Sequence, residues 1–292
     1  MTTPGETIEP FPLRRRGTVD YMRMAGRRSD VHGLVEFDVT EARRRIRERE
    51  EETGESLSFT AFLVSCLARA LDDHPHVQAY VDWRGRVVQF DEVDVNVLVE
   101  REIDGEPVGV PHVLRAANRR SLRSIHEEIR RAQTDRGEGR QNALSSLGLR
   151  LPGPVRRQLW RLPQSFPRHW KRLAGTVAVT SVGMFGTGGG WGISPTNYTL
   201  QLTAGGIARK PGIVDGEVEP REYLSLTVTF DHDVVDGAPA ARFVQRLKEL
   251  VEGAYGVRIE VDRPDRPPSI AIHLDVDELV DDEPHDATSL SE

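Results

Sequence analysis

The stretch Thr227–Phe243, TVTFDHDVVDGAPAARF, sets a histidine, an aspartate and a glycine where an alternating segment gives way to an alanine-rich one. Upstream, in YLSLTVTF, Leu224, Leu226, Val228 and Phe230 share one strand face, while Ser225, Thr227 and Thr229 share the other. If the strand continues to residue 232, His232 falls on the apolar side, where lost hydration favours the neutral, proton-accepting imidazole. Asp236 and Gly237 come four and five residues later, and Asp-Gly is a turn dipeptide. These residues alone leave two readings open. One is a catalytic base; the other is a core histidine ending a strand, with Asp236 closing the turn before a helix.

Working outward, 292 residues with 38 % hydrophobic content are enough for a full core in one large domain or two modest ones. The net charge of -7 is concentrated: residues 275–292 hold eight acids and no base, which leaves the remainder near neutral. A balanced body argues against nucleic-acid binding through a phosphate-neutralising surface. Only three of the 39 basic residues are lysines, Lys171, Lys210 and Lys248. The single cysteine, Cys66, lies in the apolar FLVSCLARAL and excludes an internal disulfide or a multi-cysteine zinc site. No apolar run approaches the ~20 residues of a membrane helix. No secretory signal follows Arg14–Arg16, so a cytoplasmic location is the expectation.

Residues 1–20 read as a flexible arm and 263–292 as an acidic tail, with the folded body at 21–262. GLVEFDVT (33–40) reads as a strand and EARRRIREREEE as a solvated helix. In SLSFTAFLVSCLARALDDHP the apolar residues at 59, 62, 63, 66, 67, 70 and 71 form one stripe of a core helix, with Ser58 as its cap. VQAYVD and RVVQF flank a hairpin at WRGR, VDVNVLVE is another strand, and SLRSIHEEIRRAQ is an amphipathic helix. Residues 136–172 carry nine bases, one acid and four prolines. Trp160, Phe166 and Trp170 make this a basic helical insertion packed on the body, not a linker. Beyond Gly175 come strands at TVAVTSV, NYTLQLTAGGI, GIVDGEVE and YLSLTVTF, then a helix from about Pro239 to Glu252. Helices and strands without regular alternation predict an α+β fold, a two-layer sandwich with a mixed sheet covered by helices. GMFGTGGGWG (183–192) lacks the offsets of a phosphate-binding loop and reads as a flexible loop, and no histidine has the partners of a metal site.

The chain resembles the catalytic domain of the dihydrolipoamide acyltransferases of 2-oxoacid dehydrogenase complexes and, more distantly, chloramphenicol acetyltransferase. Asp231, His232, Asp236 and Gly237 match the signature D-H-x-x-x-D-G, and APAARF resembles the alanine-rich continuation. SLSFTAFLVSCLARALDDHPHVQAY, VGVPHVLRAANRRSLRSIHEEI and GTVAVTSVGMFG resemble further family segments in order, from about 33 to 252. The resemblance implies a chloramphenicol acetyltransferase-like fold and thioester acyl transfer, with coenzyme A or acyl-CoA as substrate and no metal. It implies that His232 is the general base and that Thr180, where the family usually has serine, stabilises the oxyanion beside Ser181. Asp236 is then a structural residue that orients the loop by ion pairing. The family's sites lie between subunits, which implies a homotrimer, or a larger assembly of trimers, with Thr180 of one chain meeting His232 of the next. Three departures stand out. Asp233 replaces the family's arginine after the histidine, the three lysines leave no site for a lipoyl group on this chain, and the 136–172 insertion is long. A lipoyl domain on a separate protein is therefore one expected partner. The insertion's arginines read as a solvated face, with the phosphates of coenzyme A as their alternative partner. Two other functions stay open: a catalytically weak trimeric scaffold, and an acyltransferase of lipid or natural-product assembly.

Overall fold

The computed structural model describes residues 7–103, 106–134, 151–182 and 188–257. A six-stranded mixed sheet runs in the order β1-β8-β7-β6-β4-β5. Its strands are β1 (Asp30–Asp38), β4 (Val95–Ile103), β5 (Glu106–Leu114), β6 (Val177–Ser181), β7 (Leu200–Val214) and β8 (Glu217–Asp231). A separate hairpin pairs β2 (Tyr80–Val81) with β3 (Val87–Val88) around WRGR. β6 runs parallel to both β4 and β7, and the other pairs are antiparallel. This is the α+β class that the sequence pattern predicts.

One sheet face is covered by helices α2 (Thr40–Thr53), α3 (Phe59–Asp73), α4 (Leu122–Thr134) and α7 (Gly237–Glu252). The apolar stripe of α3 is buried from Phe62 to Leu71, with Phe59 half-buried at its start; Phe62, Cys66, Leu67 and Leu71 share one core with Leu224, Leu226, Phe243 and Leu247. Ser58 caps α3 as expected, its hydroxyl accepting the N–H of Ala61 at 3.4 Å. Each such large side chain contributes about 1.5–3 kcal/mol on leaving water, so this layer fixes the sheet's position.

Three features differ from the sequence reading. Residues 13–20, read as part of a flexible arm, belong to helix α1 (Leu13–Ala25). Asp20 is fully buried there, paired with Arg156, so tertiary contact orders a segment whose composition alone does not. GIVDGEVE is not one strand but the tip of a hairpin. Asp215 and Gly216, at φ 50° and 88°, turn β7 into β8 with the two left-handed residues that such a tight loop requires. The last helix begins at Gly237, two residues before Pro239.

The described part of the basic insertion forms α5 (Gly153–Gln164) and α6 (Pro167–Ala174). Trp170 is buried with Tyr80, Ala178 and Tyr198, whereas Phe166 is exposed; the side chain of Trp160 lies outside the described set. Residues 136–150 and the expected tail at 263–292 also lie outside the described residues.

Candidate functional site

β8 ends at Asp231, and the chain then turns through His232, Asp233 and Val234 before α7 starts. His232 is therefore exposed in a turn and not on the apolar strand face, because the backbone leaves the sheet one residue too early. The turn is built around Asp231. Its carbonyl accepts the N–H groups of Val234 and Val235, both at 3.0 Å, and its carboxylate accepts the N–H of Asp233 at 3.3 Å. The backbone N–H of His232 donates to the carbonyl of Ser29 at 2.8 Å, which ties the turn to the start of β1.

A residue outside the motif completes this arrangement. Arg28 pairs with the buried Asp231 at 2.5 Å, and β1 brings Asp30 opposite Asp231 in the strand register. Burial holds the Asp30 carboxyl above the usual carboxylate range; the N–H of Thr196 and the charge of Arg28 pull it down, and Asp231 pushes it up. The ion pair that orients the loop thus sits on Asp231 and not on Asp236, where it was expected. Asp236 is exposed at the N-cap of α7, where its side chain makes no capping hydrogen bond and its carbonyl accepts the N–H of Ala240. Gly237 has no positive φ, and an added Cβ would meet nothing within 4 Å, so nothing within the chain demands glycine there. Sequence reading missed Arg28 because its partner lies at the far end of the chain; the only local signal is an arginine pair just before a strand.

Thr180 is half-buried on β6, and Ser181 next to it is exposed. The register places Thr180 beside Thr203, and Thr203 beside Thr227, in a threonine row across three strands. Gly192 lies over this row: a Cβ there would sit 2.8 Å from Val182 and 3.1 Å from Thr203, so the glycine-rich segment runs beside Thr180. Gly190 bridges to Gly206, and Trp191 donates its indole N–H to the carbonyl of Val35. Residues 183–187 of that segment lie outside the described set.

Within one chain His232 and Thr180 do not meet. They are separated by two strand spacings, about 10 Å, and by five residues along the strand, about 16 Å, or on the order of 19 Å in all. Among the described residues no group of three or more His, Cys, Asp or Glu could hold a metal ion, and no helix is long and apolar enough to cross a membrane.

The family model for 2-oxoacid dehydrogenases acyltransferase (catalytic domain) matches residues 3–146 and 172–257. The lipoamide acyltransferase component of a branched-chain alpha-keto acid dehydrogenase complex from Pseudomonas putida is 29 % identical over 259 residues, covering 86 % of this chain and 53 % of the relative. This chain spans about half the length, or less, of the curated relatives it matches. A solved probable dihydrolipoamide acetyltransferase from Listeria monocytogenes superposes with a TM-score of 0.64 at 22 % identity, covering 86 % of this chain and 97 % of the other. A dihydrolipoamide acetyltransferase from Azotobacter vinelandii superposes with a TM-score of 0.64 at 20 % identity, covering 87 % and 95 %. That structure belongs to work on the roles of one serine, one histidine and one asparagine in its catalytic mechanism.

Proposed function

The chain belongs to the 2-oxoacid dehydrogenase acyltransferase (catalytic domain) family, and on that premise we propose that it moves an acyl group between thiols, with coenzyme A as one of them. His232 removes the thiol proton, the sulfur attacks the thioester carbonyl, and the Thr180 hydroxyl donates a hydrogen bond to the oxyanion. When the tetrahedral adduct collapses, the imidazolium returns the proton to the departing thiolate. Asp231 and Arg28 hold the turn that presents the imidazole. Asp236 and Gly237 line its exposed rim.

The observation that carries this reading is the exposed imidazole of His232 on a turn fixed from inside by a buried ion pair. Sequence intervals support it. The Azotobacter enzyme's serine precedes its histidine by the same number of residues as Thr180 precedes His232, and its asparagine follows at the interval of Asp236. The separation of His232 from Thr180 within one chain supports sites completed between subunits of a homotrimer, with Thr180 supplied by a neighbour. The thiol partner of coenzyme A in this reading is dihydrolipoamide carried on a separate protein.

The test is release of coenzyme A thiol from a panel of acyl-CoA donors with free dihydrolipoamide as acceptor. His232→Ala should lower turnover by about 10²–10⁴-fold, and Thr180→Ala by about 10²–10³-fold. Thr180→Ser should retain activity. Co-refolding the two alanine variants in equal amounts should restore activity at about a quarter of the sites by random assortment into trimers. No recovery would remove the shared site, and full turnover in His232→Ala would remove the general base.

A further inference from the structure

We propose that the cleft between the C-terminal end of α1, the β2–β3 hairpin and the α5–α6 corner binds a small aromatic anion: a flat ring bearing one phosphate or carboxylate group. The cleft measures about 290 Å³, and its walls include Arg27, Arg28, Val81, Trp83, Gln164 and Ser165. Its size is at the lower edge of the ~300–1,000 Å³ that small-molecule sites occupy.

The lining selects for charge first. Arg27 is exposed, with no ion-pair partner among the described residues. Arg28 beside it is committed to Asp231 and so lines the cleft as a neutralised pair. The acid in the cleft, Asp82, is already engaged: it pairs with the guanidinium of Arg86 and accepts the backbone N–H groups of Arg84 and Arg86. The unpaired guanidinium of Arg27, facing a space whose only lining carboxylate is committed, favours an incoming anion, which a planar fork can hold through two parallel hydrogen bonds. The lining then selects for a flat body. Trp83 is 60 % exposed beside the 42 % exposed Val81, and the guanidinium of Arg84 sits 4.5 Å from the Trp83 ring centre. An indole held in that way offers a stacking surface at small entropic cost. The hairpin is fixed to the corner by the backbone N–H of Trp83 donating to the Ser165 carbonyl at 3.1 Å.

Gln164 and Ser165 fall between the two matched segments of the family model, so this wall belongs to the part of the chain that the family pattern does not describe. The cleft also reaches the candidate catalytic turn. Arg28 holds Asp231, and Ser29, the next residue, holds the N–H of His232. An anion that draws on Arg28 therefore acts on the turn that presents the imidazole. This coupling rests on the acyl-transfer reading; the binding itself does not.

Isothermal calorimetry and saturation-transfer NMR on the full chain test it, with phenyl phosphate, benzoate and adenosine 5′-monophosphate as probes. Inorganic phosphate and adenosine are the controls that carry charge alone or ring alone. At least one ring-plus-charge probe should bind saturably below millimolar concentration, roughly tenfold or more tighter than either control. Phenyl phosphate against benzoate decides which head group the arginines prefer. Arg27→Ala and Trp83→Ala, each checked for an unchanged thermal melt, should each weaken that probe by roughly tenfold. His232→Ala should leave binding intact, so that loss of acyl transfer and loss of binding are read separately. No saturable binding by any probe, controls as tight as the probes, or unchanged affinity in both cleft variants would overturn the proposal.

Discussion

Replacing Arg28 by alanine tests the assignment of Asp231 as the anchor of the candidate catalytic turn. The two side chains are only 18 % and 7 % exposed and 2.5 Å apart, so the variant leaves a buried carboxylate without its cation. Breaking a buried pair from one side costs about 3–5 kcal/mol, and the partial exposure of Arg28 sets the expectation near the lower figure, about 3 kcal/mol. For a folded body of this size each kcal/mol lowers the melting temperature by about 2–4 °C, which gives a drop of roughly 6–12 °C by circular dichroism. Asp30 supplies an independent readout. Its carboxyl is held high by burial and pulled down in part by Arg28, so in Arg28→Ala it should titrate higher still by carboxyl NMR. A raised folded-state value means that the charge on Asp30 costs stability. That cost is absent below the ordinary aspartate value and grows as pH rises through the folded-state one, so the part of the deficit due to Asp30 should shrink on acidification. A double-mutant cycle of Arg28→Ala with Asp231→Ala should show a coupling of about 1–3 kcal/mol. Additivity within about 0.5 kcal/mol, or an Asp30 titration that does not move, would refute the reasoning.

Gly205→Ala should destabilise the chain by about 1–3 kcal/mol or more in denaturant unfolding, because the new Cβ would stand 1.9 Å from the carbonyl oxygen of Gly190 and 2.9 Å from that of Ser225, both backbone. Thr227→Val should be neutral or stabilising, since the Thr227 hydroxyl is buried with no hydrogen-bond partner among the described residues; a loss above about 1 kcal/mol would mean that a water or another group satisfies it. The Glu41 carboxyl is held at about 2 by hydrogen bonds from Arg44, against some burial, with Arg45 adding to the effect. Its depressed value contributes stability above the ordinary value of 4.5 that is lost as pH falls toward 2. A carboxyl titration midpoint near 4.5 would contradict that network.

What the sequence made legible is what the chain encodes locally. The stripe of α3, its serine cap, the WRGR hairpin and the strand alternation of β8 each follow from neighbours within one element, and the structure has all of them. Pairings between distant segments left no such trace. Asp20 looks like one polar residue in an arm until Arg156 reaches it from the insertion. GIVDGEVE failed for another reason. The β7–β8 pairing runs out to Val214 and Glu217, so strand-like residues on both sides of Asp215-Gly216 read as one strand across a turn that the dipeptide itself announces.

The same division separates the parts of the D-H-x-x-x-D-G stretch, Asp231–Gly237. His232, Asp233, Asp236 and Gly237 are all exposed, whereas Asp231 and Val235 are buried and Val234 packs partly against the core. The turn has one polar anchor, Asp231, which takes three backbone N–H groups and one guanidinium, and an apolar one in Val235; the side chains of His232, Asp233 and Asp236 face whatever approaches the rim. That arrangement gives Asp233 a physical account. The turn uses its N–H and not its carboxylate, so replacing the arginine of the related pattern by aspartate leaves every internal contact of the turn in place. On the proposed acyl-transfer reading the replacement changes only the charge at the rim, and Asp233→Arg should therefore leave the thermal melt unchanged while altering the salt dependence of acyl transfer. A lower melting temperature in that variant would show that the side chain holds the turn after all.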